Sequence, residues 1–262
     1  MHRIALGVGF NGRAYDGWQS QPGGNTVQDQ LELALERFTA TGPVSTLCAG
    51  RTDAGVHGLM QVVHFDTPLE RAEHAWVRGT NSFLPADIAV QWARSVPASF
   101  HARASAQARR YAYVLLESPV RPGVDQGQVG WVFRPLDQAA MQAAADALLG
   151  EHDFTSFRAS SCQAHSPVKQ MRRIAIVRRG AYWRFEFEAN AFLHHMIRNI
   201  MGCLLAVGSG NRPPGWMAEV LAARSRDAAS PTFSPDGLYF LGPVYDPAFG
   251  LPDRTPAFDW LP

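Results

Sequence analysis

Asp53 stands two residues after Arg51 and four before His57, within the run C-A-G-R-T-D-A-G-V-H-G-L-M-Q-V-V-H-F from Cys48 to Phe65. A nearby cation favours the ionised form of a carboxylate, and an ionised Asp can serve as a nucleophile or general base near neutral pH. Gly50, Gly55 and Gly58 punctuate the same stretch; glycine opens backbone angles closed to other residues and lets a substrate approach the main chain. Spacing alone also admits a quieter reading, in which Asp53 caps a turn through its own side chain. The glycines do not make a Walker phosphate loop, because Val56 and His57 occupy the places of its Lys and Ser or Thr.

Two strands must hold this loop. One apolar run ends at Ala49 and another covers Val62 to Phe65, so the polar residues sit on a glycine-punctuated connection between them. Upstream, Ile4, Leu6, Val8 and Phe10 alternate as an opening strand that leads into Y-D-G-W-Q, Tyr15 to Gln19. Trp18 offers a face for a base or a cover for the core, and we read it as core. Thr26 reads as the N-cap of a helix with Val27, Leu31, Ala34, Leu35 and Phe38 on one face; Gly42-Pro43 ends it. A helix is expected over 68–81, then a strand through Ile88, Val90 and Trp92.

The next stretch, F-H-A-R-A-S-A-Q-A-R-R-Y-A-Y, interleaves basic and aromatic residues. Arg103, Arg109 and Arg110 suit phosphates, and Tyr111 or Tyr113 offers a stacking face; taken alone, the segment reads as an edge strand with one wet face. Residues 118–135 lose periodicity and read as a connector. Asp137 then caps an Ala-rich helix closed by Gly150. Val168 to Val177 and Tyr182 to Ala189 read as a hairpin with Trp183, Phe185 and Phe187 inward and Arg184, Glu186 and Glu188 outward.

The most apolar helix carries Met196, Ile197, Ile200, Met201, Leu204 and Leu205 as a buried stripe, with Arg198 among them. A partly buried guanidinium calls for an anionic partner. His194 and His195 invite a metal reading, but neighbours on a helix point to different sides and no H-E-x-x-H occurs. Packing or RNA contact fits them better. A short helix over 213–223 and a strand over 238–244 complete the chain.

The balance of 24 Lys+Arg against 23 Asp+Glu gives a net charge of +1, so any nucleic-acid contact must be a local patch. Nearly all the positive charge is arginine, Lys169 being the single lysine. Cys48, Cys162 and Cys203 are widely spaced, against a zinc site or disulfide framework; Cys48 beside the loop reads as a small buried residue rather than a reactive thiol. No run approaches the length of a membrane span and the amino end has no signal-peptide pattern. A cytoplasmic protein without membrane association is expected.

G-R-T-D-A-G-V-H-G followed by Q-V-V-H-F resembles the signature of the tRNA pseudouridine synthase A family. The resemblance extends through Y-D-G-W-Q, A-R-R-Y, H-D-F-T-S-F-R-A and the G-L-Y of Gly237 to Tyr239. It implies that Asp53 is the catalytic carboxylate, that Arg198 pairs with it and that Tyr111 stacks on the target base. Arg51 and His57 would shape the loop or contact RNA, a structural role being preferred for His57. Phe100, His101, Ala102, Arg103 and Ala104 align with one RNA-contact segment. Ser161, Cys162, Gln163, Ala164 and His165 align with another, although Ala164 and His165 stand where an Arg is expected.

The implied fold is α/β (α+β), with two similar halves whose mostly antiparallel sheets join into one sheet flanked by helices, the active cleft lying between them. The halves are expected over 1–105 and 106–262, the connector falling near 118–136. The implied reaction cleaves the glycosidic bond of uridine, turns the base and rejoins it through C5, at three positions on the 3′ side of the tRNA anticodon arm. It needs no cofactor and no metal, and the family works as a homodimer on tRNA. Two other classes compete. A non-catalytic RNA-binding module would not need Asp53, and no RNP1-like run is present. A glycoside hydrolase needs a second carboxylate, for which Asp16 is the one tempting partner.

Overall fold

The computed structural model describes residues 1–252, which divide into two units, one formed by Met1–Arg109 with residues 239–252, the other by Arg110–Leu238. The first unit opens with β1 (His2–Phe10), α1 (Val27–Thr39), β2 (Leu47–Cys48), β3 (His57–Thr67), α2 (Glu73–Asn81) and β4 (Ile88–Val96). The second contains all but the first two residues of β5 (Ala108–Glu117), with β6 (Gly130–Val132), α3 (Gln138–Asp146), β7 (Gly150–Asp153), β8 (Val168–Arg179), β9 (Tyr182–Ala189), α4 (Met196–Gly208) and α5 (Trp216–Ala223). Most of the last strand, β10 (Leu238–Val244), returns to the first unit.

In the first unit β1 is central, antiparallel to β3 on one side and β4 on the other, with Leu6 opposite Val63 and Ala93. Strand alternation then sorts the side chains by face. Ile4, Leu6, Val8 and Phe10 form one core with Val63, Phe65, Ile88 and Val90, beneath Leu31 and Leu35 of α1 and Trp76 of α2. Ala5, Met60, Val62, Trp92, Phe100 and Ala102 form a second, with Tyr245, Phe249 and Leu251 packed against it. The sheet is thus buried on both faces.

Helix α1 starts where its sequence says it must: the Thr26 hydroxyl accepts the N–H of Asp29 at 3.2 Å. Helix α2 begins only at Glu73 rather than at residue 68, and ahead of it the Thr67 hydroxyl accepts the N–H of Leu69 at 3.2 Å. Strand β10 runs parallel to β3, with Tyr239 opposite His57 and Phe240 opposite Gly58. The expected halves placed all residues after 105 together; the chain changes unit instead at Arg109 and again at Tyr239.

In the second unit the strands run β5-β9-β8-β7, with β6 parallel to β5. The hairpin of β8 and β9 buries Trp183, Phe185 and Phe187 and leaves Arg184, Glu186 and Glu188 half-buried on the other face. There Arg173 and Arg184 reach Glu186 at 3.3 and 2.9 Å. Helix α4 is buried along Met196, Ile197, Ile200, Met201, Leu204 and Leu205. No helix among the described residues is long and apolar enough to cross a membrane.

Candidate functional site

The connection from Ala49 to Val56 is a braced loop. At its base the Ala49 N–H donates to the Val62 carbonyl at 2.8 Å, and the Gln61 amide donates to the Gly50 carbonyl at 2.6 Å. At its tip the Val56 N–H donates to the Asp53 carbonyl at 3.1 Å, closing a turn in which Gly55 takes φ 78°. Arg51 is exposed, Thr52 is buried and Asp53 is half-buried. The turn closes through a main-chain hydrogen bond.

The Y-D-G-W turn lies directly against this loop. Trp18 donates its N–H to the Thr52 carbonyl at 3.1 Å, and Gly55 donates its N–H to the Tyr15 carbonyl at 3.3 Å. Gly17 makes that approach possible, with φ 93° and the position of an added Cβ only 2.6 Å from the Thr52 oxygen. Gly12 is tighter still, since a Cβ there would overlap the Val56 carbonyl. The Tyr15 hydroxyl donates to Asp87 at 2.7 Å, which anchors the brace to the chain entering β4; burial, and then that bond, push the phenol pKa up. Trp18 is fully buried, and Asp16 is the exposed corner of the turn.

His57 is the first residue of β3 rather than part of the loop. It is 3% exposed, its Nδ1 accepts the Gly12 N–H at 3.1 Å, and its ring stacks on Tyr239 at 4.7 Å. Its geometry is that of a structural histidine fixing the turn at Gly12, β3 and the final strand together. Cys48 is equally quiet, for burial pushes its thiol up to about 11 against the opposing pull of Arg51 and Arg103.

The segment from Phe100 to Ala104 splits by burial. Phe100 and Ala102 are fully buried; Phe100 meets Tyr245 and Phe249 edge-on at 5.1 Å each, and the Tyr245 hydroxyl donates to the Ala102 carbonyl at 2.6 Å. His101 is half-buried and accepts the N–H groups of Arg103 and Ala104 at its Nδ1, at 3.1 and 3.2 Å. Arg103 and Ala104 face solvent. The side chains of Phe100 and Ala102 therefore hold the turn, and Arg103 is the one that carries charge outward.

Beneath the turn, His64 Nδ1 accepts the Ala102 N–H at 3.1 Å, with the His101 ring 4.8 Å away. Burial, then the neighbouring His101 and Arg3, push the His64 pKa down to about 4, Asp66 opposing them weakly. A histidine whose folded pKa lies below its unfolded value of about 6.5 lends stability that is complete above that value. The contribution drains away as pH falls towards 4. Thermal melts should accordingly be flat from pH 8 to 7 and decline between about pH 6.5 and 4, and His64→Gln should flatten that decline. An unchanged slope in the variant would remove His64 as its source.

In the second unit Tyr111 lies on β5, only 8% exposed and edge-on to Phe192 at 5.1 Å. The wet-edge reading of this strand fails, since residues 111–116 are all buried. Arg198 lies on α4, where its Nε donates to the Phe233 carbonyl at 2.9 Å while the Phe233 N–H donates back to the Arg198 carbonyl at 3.1 Å. His194 and His195 precede α4 instead of riding on it. His195 takes φ 61° at the helix start, and the two rings lie 4.0 Å apart, so the argument from opposite helix sides does not apply.

The polar loop from Ser161 to His165 is tied down by Arg158, which precedes it in the chain. That guanidinium donates to the carbonyls of Cys162 and Ala164 at 2.6 and 3.0 Å. Ser161, Gln163 and His165 are exposed, and Ser161 Oγ lies 3.2 Å from His194 Nδ1. Partial burial raises the Cys162 thiol, but the N–H groups of Ala164 and His194 with the Arg158 charge outweigh it and leave the pKa lowered.

Residues 8–103 and 144–246 match the family described as tRNA pseudouridine synthase. The tRNA pseudouridine synthase A of Paracidovorax citrulli (strain AAC00-1) is 72% identical over 278 residues, covering 99% of this chain and 100% of that protein. The protein of the same name from Polaromonas naphthalenivorans (strain CJ2) is 72% identical over 264 residues with the same coverage. That from Delftia acidovorans (strain DSM 14801 / SPH-1) is 67% identical over 282 residues, again with 99% and 100% covered.

Proposed function

Because the chain belongs to the tRNA pseudouridine synthase family, and is by that membership an isomerase, we propose that Asp53 is the carboxylate through which it converts uridine to pseudouridine in tRNA. Arg198 is its cationic partner, and Tyr111 is the ring on which the extruded uracil stacks. The observation that supports this assignment is the bracing of the Asp53 loop. Its tip turn and the contacts from Trp18 and Gly55 are main-chain bonds, which fix the backbone that carries the carboxylate, as catalysis by positioning requires.

The reaction is balanced within one nucleotide. The bond from ribose C1′ to uracil N1 breaks, the base turns while held, and a bond from C1′ to C5 forms. C5 loses its proton and N1 gains one, so no electrons or outside atoms enter. Tyr111 stands as the group that assists removal of the C5 proton. Extruding the base costs a few kcal/mol, which favours weakly stacked targets; the three uridine positions on the 3′ side of the anticodon arm are such targets. Arg51, Arg103 and the loop from Ser161 to His165 contact the RNA backbone, largely reading shape. The enzyme acts in the cytoplasm as a homodimer.

The test is tritium release from C5-labelled uridine in unmodified tRNA transcripts. Release in proportion to pseudouridine formed, at anticodon-arm positions, is the expected result. Binding of the transcripts without release would replace the isomerase reading with that of an RNA-binding module.

A further inference from the structure

Arg109 belongs by sequence to the basic and aromatic segment, where a phosphate is its natural partner. Its guanidinium is instead directed at main-chain carbonyls of its own unit. Nε and one terminal nitrogen donate to the Ala49 carbonyl at 3.3 and 3.1 Å. The same terminal nitrogen donates to the Arg103 carbonyl at 2.6 Å, and the other to the Ala106 carbonyl at 3.1 Å. Ala49 is fully buried and is the last residue before the Asp53 loop. Arg103 is the exposed cation of the turn from His101 to Ser105. One planar group therefore joins the base of the carboxylate loop to the segment that presents a charge to solvent.

We propose that Arg109 is a positioning residue, which sets the Asp53 loop relative to the Arg103 turn so that a phosphate held at Arg103 brings the target uridine into line with the carboxylate. The proposal rests on the isomerase reading above. The chemistry of the side chain is what makes it specific. A guanidinium offers N–H donors in a rigid fork, whereas an ammonium is a point charge on a flexible stem. A lysine at 109 keeps the charge yet cannot hold three carbonyls in a plane. The neighbouring chain reinforces the joint, because the Gln107 N–H donates to the Val244 carbonyl at 2.8 Å and the Tyr245 hydroxyl to the Ala102 carbonyl at 2.6 Å.

Arg109→Lys should lower the single-turnover rate of tritium release at saturating tRNA by roughly 10- to 100-fold, the scale of an ångström-sized misplacement. Its tRNA affinity should stay within about threefold of wild type and its melting temperature within a few degrees. Arg109→Ala, assayed at a temperature where it remains folded, should recover rate with millimolar guanidinium in a saturable manner, with no rise in its melting temperature. A Lys variant as fast as wild type would overturn the proposal. So would a rate loss that follows affinity or the folded fraction, or an Ala variant that guanidinium leaves unchanged. Absence of release by wild type would instead strike the isomerase reading, so the two failures are told apart.

Discussion

Asp53→Asn should fold, bind unmodified tRNA and fail to turn it over. The amide matches the carboxylate in size, the turn closes from Val56 N–H to the Asp53 carbonyl, and the braces from Trp18 and Gly55 are main-chain bonds that the substitution keeps. What the amide lacks is a formal negative charge and a lone pair basic enough to add to carbon or take a proton near neutral pH. Loss of the group that acts on the substrate is expected to reduce turnover by about 10³-fold or more. The measurement is single-turnover tritium release at matched RNA occupancy, paired with a binding titration and a melt. Activity within tenfold of wild type would show that another residue performs the chemistry.

Local pattern carried the elements whose physics is local. The Thr26 cap, the hairpin face of Trp183, Phe185 and Phe187 and the apolar stripe of α4 follow from hydrogen-bond donors at a helix end and from the two periodicities of backbone structure. Trp18 could be placed in the core because a ring of that size beside a strand has more to gain from burial than from solvent. The polar loop around Asp53 was legible for a related reason, since glycines between two apolar runs mark where backbone leaves the sheet.

Features set by distant residues were not legible in the same way. Alternating Arg and Tyr made β5 look wet, but the pattern records side-chain type and says nothing of where a long arginine turns; Arg109 folds back onto Ala49, sixty positions away. The polar loop after Ser161 is held by Arg158, which reaches the carbonyls of Cys162 and Ala164 because the chain doubles back. The parallel pairing of β10 with β3 sets Tyr239 opposite His57, far apart in sequence, and no local window contains it. His195 at φ 61° precedes α4, a left-handed conformation uncommon for non-glycine residues, so no local pattern marks it.

Gly17→Ala is expected to injure both stability and rate, and a matched control separates the causes. At φ 93° any L side chain is strained, and a Cβ would sit 2.6 Å from the Thr52 oxygen and 3.1 Å from the Asp53 carbonyl carbon. Neither neighbour is a flexible side-chain end, so the backbone of the turn or of the Asp53 loop must move. Either shift stretches the bonds from Trp18 to Thr52 and from Gly55 to Tyr15 that brace the loop. Strain of this kind costs roughly 2 to 4 kcal/mol, and displacement of the carboxylate should lower kcat by about tenfold or more in the protein that remains folded. Gly24 also has positive φ, 70°, but a Cβ there meets nothing within 4 Å. Gly24→Ala should thus show the backbone penalty alone, about 1 kcal/mol, with wild-type kcat. Equal kcat in the two variants would mean that the Y-D-G-W turn supports the fold without setting the carboxylate. A rate loss confined to Gly17→Ala would tie the reach of Asp53 to the absence of one methyl group on the turn beside it.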